Sequence, residues 1–310
     1  MTLLKRRRLL AASIEGTSGT AEVLDATDAA FNAYDIVTTL DIPMDERDGQ
    51  AFGVMPSIPG GHKAKVAFKI DASWDGTATE PAWADLFLPG CGWVKSSQVY
   101  TPRTEAPGSN VKTLTLETYT NGVKTQIYGA AGTFKLVCPT GKAAYFEFEF
   151  TGVWGGRSDV AILSPTFPTD LPLRYANSTT TWNSVALCLA TMTLDSGNEV
   201  TMRECATNTS GFHAAIITNR KVKVTGDPEG KLVATQDRWG ALLASNEYAL
   251  TWDLDGPTNS KITIAAPKAQ VMSIAEGDRG GLMTDDIEWQ CNRNGSTVDQ
   301  EASITFTAAS

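Results

Sequence analysis

The fold is decided by a stretch of strict alternation, Ala64-Lys65-Val66-Ala67-Phe68-Lys69-Ile70-Asp71. Every second residue from Ala64 to Ile70 is apolar, while the positions between them are mainly charged. A second stretch, Tyr145-Phe146-Glu147-Phe148-Glu149-Phe150, puts its phenylalanines on one side and its glutamates on the other. A period of two residues predicts β-strands, each with one buried side and one side that faces solvent.

Turn signals separate further strands of the same kind. Residues 111–119 and 123–128 flank Asn121-Gly122, a dipeptide that favours the tight turn of a β-hairpin. Residues 133–138 run into Pro139-Thr140-Gly141, which predicts another turn. In the second half the pattern predicts strands at 186–194, 212–224, 248–254, 261–265, 270–274, 282–291 and 303–307.

Helical patterns are short and occur once in each half. Trp83, Leu86 and Phe87 follow Pro81 at helical spacing, and a similar pattern surrounds Trp239. Each half therefore runs through strands, one short helix with a single tryptophan, and a meander of four strands. This order predicts a mostly β protein made of two tandem antiparallel domains, sandwich-like or barrel-like, each with one short flanking helix.

The length and composition of the chain predict where these domains lie. A chain of 310 residues is long enough for two domains. Residues 155–181 are rich in proline, serine, threonine and asparagine, which is the composition of a linker. We predict an N-terminal arm and a first domain at 1–154, a linker at 155–181, and a second domain at 182–310. Because the order of elements recurs, we interpret the second domain as a duplicate of the first.

Charge and cysteine content narrow the classes of function. The formal net charge of −9 disfavours tight binding of nucleic acid, although an acidic surface suits DNA that slides past it. The five cysteines are scattered and fit neither a disulfide framework nor a zinc site. The apolar run at 9–14, after the basic cluster at 5–8, is too short for a secretory signal. We therefore expect free thiols, synthesis in a cytoplasm and no membrane partner.

No motif in the sequence predicts catalysis. His62 and His213 each stand beside a glycine at the start of a predicted strand, without a nucleophile elbow or the spacing of a zinc site. Asp285-Asp286 is a pair of neighbouring carboxylates, but neighbours on a strand point to opposite faces, so we interpret the pair as a solvated edge. We expect the protein not to be an enzyme and to need no cofactor and no metal.

Three segments in the first half resemble one protein family. The first is Leu9-Leu10-Ala11-Ala12-Ser13-Ile14-Glu15-Gly16-Thr17-Ser18-Gly19-Thr20-Ala21, an arm with a Glu-x-x-x-Gly-Thr pattern before a strand. The second is Pro81-Ala82-Trp83-Ala84-Asp85-Leu86-Phe87-Leu88-Pro89-Gly90-Cys91-Gly92-Trp93, a short helix that ends in a Cys-Gly turn. The third is the meander at 113–152, which contains the Asn121-Gly122 hairpin. In this order the three segments resemble the major tail tube proteins of long-tailed phages.

The resemblance implies a β-sandwich with one flanking helix, a structural subunit that self-assembles into rings. In such rings the inner strands close a large barrel, which leaves no sheet edge exposed. The rings stack into the tube of the virion tail, and phage DNA passes through the lumen during ejection without specific binding. Further implied partners are other tail proteins.

The resemblance also implies where the subunits touch one another. The N-terminal arm and an early irregular loop at 45–61 would contact neighbouring subunits or the next ring, at Arg6, Arg7, Arg8, Leu9, Leu10, Asp45, Glu46, Arg47, Asp48, Phe52 and Met55. Simple family members have one domain and form hexamers. If both halves of this chain are tube domains, three chains give a pseudo-hexameric ring, which we favour. If the second half is a decoration, six chains are needed.

The sequence leaves other functions open. The main alternative is a secreted or surface β-sandwich that binds carbohydrate or protein, since the eight tryptophans would serve such a site if exposed. A hydrolase on a β scaffold and another tail or capsid component are the remaining alternatives.

Overall fold

Antiparallel β-strands make up most of the chain in the computed structural model, which describes residues 4, 6–49, 52–77, 79–104, 112–256 and 260–308. The mostly β fold class, with large antiparallel sheets, is confirmed. Residue 5 of the basic cluster, residues 50 and 51 of the early loop and residue 111 of the first predicted hairpin lie outside the described residues.

The first half contains strands at both alternating stretches, whereas the predicted strands at 123–128 and 133–138 form one continuous strand. In chain order its elements are β1 (Arg8–Ile14), a 3-10 helix (Thr27–Ala29), β2 (Ala33–Asp41), β3 (Met44–Asp48), β4 (Val54–Pro59), β5 (Lys63–Asp71), α1 (Ala82–Gly90), β6 (Trp93–Ser96), β7 (Val99–Pro102), β8 (Leu114–Thr120), β9 (Val123–Pro139) and β10 (Tyr145–Asp159). Asn121 and Gly122 both have positive φ, at 47° and 101°, as a primed hairpin turn between β8 and β9 requires.

The strands of the second half begin and end at different residues from those that the sequence predicted. Its elements are β11 (Thr181–Trp182), β12 (Val185–Ala186), β13 (Thr191–Asp195), β14 (Asn198–Glu204), β15 (Phe212–Arg220), β16 (Lys223–Gly226), α2 (Arg238–Leu243), β17 (Glu247–Asp255), β18 (Lys261–Arg279), β19 (Leu282–Cys291) and β20 (Ser303–Thr307). The predicted strands at 261–265 and 270–274 are one strand, β18. Pro267 does not end it, because this proline lies in a bulge where the β17–β18 register shifts.

One order of strand pairing occurs in both halves. The first half pairs in the order β8-β9-β10-β5-β2, and the second half in the order β17-β18-β19-β16-β13. β1 pairs with β8, as β11 pairs with β17. A separate two-stranded ribbon, β3–β4 or β14–β15, stands between the corresponding strands, and each half has one short helix before its meander. The repeat of element order that the sequence predicted therefore extends to the pairing partners of the strands.

The two halves share one sheet. β13 of the second half pairs with the C-terminal part of β9, and Leu136 and Leu194 are fully buried at this junction. Residues 155–159 of the predicted linker belong to β10, and Leu173 and Tyr175 farther along it are buried. Residues 155–181 thus pack against the sheet over part of their length, and the division into two domains stays a prediction.

The core lies between the sheet and the helices. In the first half α1 packs Trp83 and Phe87 onto the phenylalanines of β10, and the Phe87 and Phe148 ring centroids are 5.3 Å apart. In the second half Trp182 and Trp289 meet at 6.0 Å between centroids. Each such buried ring contributes on the order of 2–3 kcal/mol of hydrophobic stabilisation. In strands that alternate, such as β5 and β10, the buried side therefore faces the core and the charged side faces solvent.

Candidate assembly surface

The early loop of the sequence prediction contains the two strands of a β-ribbon. Residues 45–61 were expected to be irregular, but β3 and β4 pair from Met44 opposite Pro59 to Asp48 opposite Val54. The predicted contact residues in it are exposed: Asp45, Glu46, Arg47, Asp48, Phe52 and Met55. The side chains of β3 and β4 are exposed on both faces of the ribbon. Their sequence therefore has no alternation of buried apolar and exposed polar residues from which strands could be predicted. An isolated two-stranded ribbon is marginally stable, which favours a surface to dock on.

The N-terminal contact residues fall into two groups. Arg6 and Arg7 are exposed, and the Arg8 guanidinium donates a hydrogen bond to the Ile36 carbonyl on β2. Leu9 and Leu10 are buried inside the chain, so their side chains offer almost no surface to another copy. The arginines therefore remain candidates for contact, and the leucines belong to the core.

The Glu-x-x-x-Gly-Thr pattern has a structural role in this chain. The buried Glu15 carboxylate accepts hydrogen bonds from the backbone N–H groups of Gly19 at 2.8 Å and Gly129 at 2.6 Å. It also accepts from the hydroxyls of Thr113 at 2.7 Å and Thr115 at 3.0 Å. The carboxylate thus fixes the segment after β1 against β8 and β9.

Among the strand edges without a pairing partner in the described residues, those of β2 and of the C-terminal part of β18 occupy comparable places in the two halves. Among the described residues, no strand pairs with the edge of β2 that faces away from β5. β17 pairs with β18 only as far as Gln270, and from Ser273 to Arg279 the described part of the chain supplies a partner, β19, on one side alone. Open edges expose unpaired backbone groups that can pair with another chain.

The solvent side of the sheet carries lysines that are each paired with a carboxylate. Their pairs are Lys63–Asp41 at 3.3 Å, Lys65–Glu149 at 2.7 Å, Lys69–Glu147 at 3.2 Å, Lys135–Asp195 at 3.3 Å and Lys223–Glu288 at 3.0 Å. The Lys135–Asp195 pair joins the two halves across the β9–β13 junction. Each of these lysines therefore already has an anion beside it, with which a phosphate group would compete.

The residues considered for chemistry do not come together. Nδ1 of His62 lies 2.7 Å from the Gly60 carbonyl oxygen, and the His213 ring packs against Gly19. Within the described ranges, no group of three or more His, Cys, Asp and Glu side chains is arranged to hold a metal ion. Neither helix in the described part of the chain is long and apolar enough to cross a membrane.

Thiol reactivity gives a first prediction. All five cysteines are free, and burial raises the pKa of Cys138 and Cys291 to about 12 and that of Cys91 well above its usual value. A hydrogen bond with Thr207 lowers the pKa of the more accessible Cys205 thiol, and Cys188 is exposed. Thiolates are the reactive form, so a disulfide reagent at pH 8 should label Cys188 and Cys205 quickly in the folded chain.

Counting labelled thiols by mass spectrometry checks this prediction. The other three cysteines should react only after unfolding in urea. A Cys205→Ser variant is the control and should lose one fast thiol. Rapid labelling of Cys91, Cys138 or Cys291 in the folded chain would contradict the burial of these side chains.

Comparison with known proteins does not assign a family to this chain. No known protein family matches the chain, and no curated protein matches it.

The tryptophans that would favour a carbohydrate-binding surface are mainly buried: Trp74, Trp83, Trp93, Trp182, Trp252 and Trp289. Trp239 is exposed, on α2. A row of exposed tryptophans for sugar stacking is therefore not found among the described residues.

Proposed function

We propose that this chain is a non-enzymatic structural subunit of a phage tail tube, which assembles into stacked rings around a channel for DNA. The observation that carries the proposal is the repeated pairing order, β8-β9-β10-β5-β2 and β17-β18-β19-β16-β13, within one sheet. A sheet that already repeats its unit once, and ends in open edges, is suited to repeat it again between chains. The resemblance of the first half to tail tube proteins supports the same function.

The proposal treats each half as one tube domain, a β-sandwich with a flanking helix. Three chains then supply six such units and close a pseudo-hexameric ring. Closure would pair the open edges of β2 and β18 between neighbouring chains and join their sheets into one barrel. Stacked rings of this kind in the virion tail, in contact with other tail proteins, need no cofactor and no catalytic step.

The lumen of the proposed tube is the solvent side of the sheet. On this side the lysines are paired with carboxylates at 2.7 to 3.3 Å, and the whole chain has a net charge of −9. A surface with paired cations and excess negative charge repels the DNA backbone and does not hold it. DNA could then pass without specific binding.

Negative-stain electron microscopy of the purified, concentrated and aged protein tests the function. We expect hollow tubes or stacked rings with a central pore. Solid fibres without a pore, or compact particles at every concentration, would argue against a tube subunit. A surface-potential measurement on assembled tubes adds a second check, because a strongly positive lumen would contradict the proposed passage of DNA.

A further inference from the structure

Strand pairing between β9 and β13 is the first component of the junction between the two halves. β8 pairs with β9 up to Ala130, and β13 then continues on the same strand from Lys135 to Pro139. The Ser196 N–H donates to the Phe134 carbonyl at 3.0 Å, so this pair is hydrogen-bonded. The pairs Asp195–Lys135 and Thr193–Val137 therefore belong to the alternate, non-hydrogen-bonded set of the antiparallel ladder.

The second component of the junction is a ribbon laid over the first half. The ribbon β14–β15 follows β13 directly, and the Asn198 amide at its start donates to the carbonyls of Cys91, at 2.7 Å, and Gly132, at 2.9 Å. Cys91 is the residue that caps the C-terminus of α1. Farther along the ribbon, the Ile217 side chain lies against Gly92. The ribbon of the second half thus covers the end of the first helix and the middle of β9.

The corresponding groups on β2, β18 and α2 are not covered by another strand or ribbon among the described residues. β2 corresponds to β13 and β18 to β9 in the repeated order, and both have open edges at the corresponding places. The ribbon β3–β4 follows β2 as β14–β15 follows β13, yet it is exposed. The end of α2, which corresponds to the covered end of α1, carries Leu243 with 86% of its surface exposed.

Matching sequence sets the correspondence between β2 and β13. Thr39-Leu40-Asp41 in β2 corresponds to Thr193-Leu194-Asp195 in β13, and each aspartate lies opposite a lysine of the next strand. Leu194 is fully buried because β9 lies beside it, whereas Leu40 is 45% exposed. Met44 and Asn198 each begin their ribbon at the same distance from these aspartates, and Met44 is 56% exposed.

A shared bulge sets the correspondence between β9 and β18. The β9–β10 register shifts between Tyr128 and Ala131 of β9, and the β18–β19 register shifts between Val271 and Ser273 of β18. Each shift adds one residue to β9 or β18, and the shift in β18 begins one residue farther along the repeated order.

Asp41 of β2 is paired with Lys63, Lys63 with Val153, and Val153 with Tyr128 of β9. Asp41 and Tyr128 therefore lie on one line across the sheet.

The corresponding line in the second half starts at Asp195 and runs through Lys223 and Gln290 to Gln270 of β18. The same number of residues leads from Tyr128 to Val137 and from Gln270 to Arg279. Arg279 of β18 therefore takes the place that Val137 has in β9.

The two open edges are complementary in charge. Arg6 and Arg7 directly precede the arginine that binds the edge of β2, and neither forms an ion pair within the described residues. Glu276 and Asp278 lie on the open part of β18, on the side of the sheet that Ile274 shares with the core. They also form no ion pair in the part of the chain that the structure describes. Opposite charges on two open edges favour their association.

We propose that the contact between neighbouring copies repeats the junction inside one chain, so that β2 of one copy pairs with 273–279 of the next. In this arrangement Thr39 lies opposite Arg279, as Thr193 lies opposite Val137 inside the chain. The β3–β4 ribbon of the first copy lies over the end of α2 of the second, and Met44 contacts Leu243. The occupant of each open edge is a second copy of this chain. The proposal rests on the proposed function, because it specifies how the ring is joined.

Disulfide trapping between two different variants tests the register. Both variants carry Cys188→Ser and Cys205→Ser, and one adds Thr39→Cys while the other adds Arg279→Cys. Non-hydrogen-bonded pairs have Cα atoms about 4.5 Å apart, within the range of roughly 4.4–6.8 Å that a disulfide spans. An equal mixture under mild oxidation should therefore give covalent dimers, while each variant alone should not.

The control replaces Thr39→Cys by Leu40→Cys, which turns the thiol to the other side of the sheet. The matched pair should give at least about tenfold more covalent dimer than this control, because a slip of one residue reverses the faces. Equal yields, or no dimer from the matched pair, would overturn the proposed pairing. Rings seen by microscopy without the matched crosslink would reject the pairing and leave the tube function standing. The matched crosslink in a protein that forms no rings or tubes would support the pairing and reject the function.

Discussion

Replacing Leu243 with arginine is expected to stop ring assembly while the chain stays folded. The side chain is 86% exposed, and a cation at the C-terminus of α2 is compatible with the helix dipole. In the proposed contact, however, Leu243 is covered by Met44 of another copy, so the arginine would be buried without a partner. A buried unpaired charge costs several kcal/mol, and we expect association to weaken on the order of 100-fold. Analytical ultracentrifugation measures the loss.

A matched control and a complementation test sharpen this prediction. Leu232→Arg changes a leucine that is similarly exposed, at 79%, outside the proposed contact, and should assemble normally. Met44→Arg damages the opposite face and should also block assembly. Because the contact is head-to-tail, each variant keeps one intact face, and an equal mixture should form dimers that grow no further. Normal assembly of Leu243→Arg would contradict the proposed docking of the ribbon.

The Arg238→Met substitution is expected to destabilise the folded chain by about 3–5 kcal/mol, because it removes one partner of a buried ion pair. The Arg238 guanidinium lies 2.6 Å from the Asp285 carboxylate, and both side chains are almost fully buried. It also donates to the Glu229 carbonyl and to the Gln236 side chain, both at 3.0 Å. Without Arg238, Asp285 would keep a charge inside the protein with no opposite charge beside it. The shift of the urea unfolding midpoint measures the effect.

Arg279→Met is the control for this prediction. Arg279 also pairs with carboxylates, those of Asp227 and Glu229, but it is partly exposed, so its loss should cost less than about 1 kcal/mol. The double variant Arg238→Met, Asp285→Leu should recover most of the stability, since no buried charge is left unpaired. Equal destabilisation by Arg238→Met and Arg279→Met would contradict this role of the buried pair.

Much of the fold could be predicted from periodicity and turn chemistry. The alternation at 64–71 and 145–150 predicted β5 and the start of β10, because one side of each strand is buried and the other is not. Asn121-Gly122 predicted the β8–β9 hairpin, since both residues accept positive φ. The repeated order of elements was visible as well, because each half uses one short helix before its meander.

The rest depends on contacts between distant parts of the chain. Nothing local in the sequence reveals that β13 pairs with β9, so the sheet shared by the two halves appears only in the structure. Asp285 was interpreted as part of a solvated edge, but Arg238 reaches it from α2 and both are buried. The exposed Leu243 has no sequence signal of its own. It becomes a candidate contact only by comparison with the covered end of α1.

The number of chains in one ring is the most direct test of the proposed assembly, and end-on class averages of the assembled protein by electron cryomicroscopy measure it. A chain that contains two repeats of one unit is expected to give rings of three copies, with six similar lobes around a hollow centre. The β9–β13 junction inside each chain and the β2–β18 contact between chains should then look alike and alternate around the ring. Rings of six copies, or rings in which the two halves lie at different radii, would contradict a ring built from two equivalent halves of each chain.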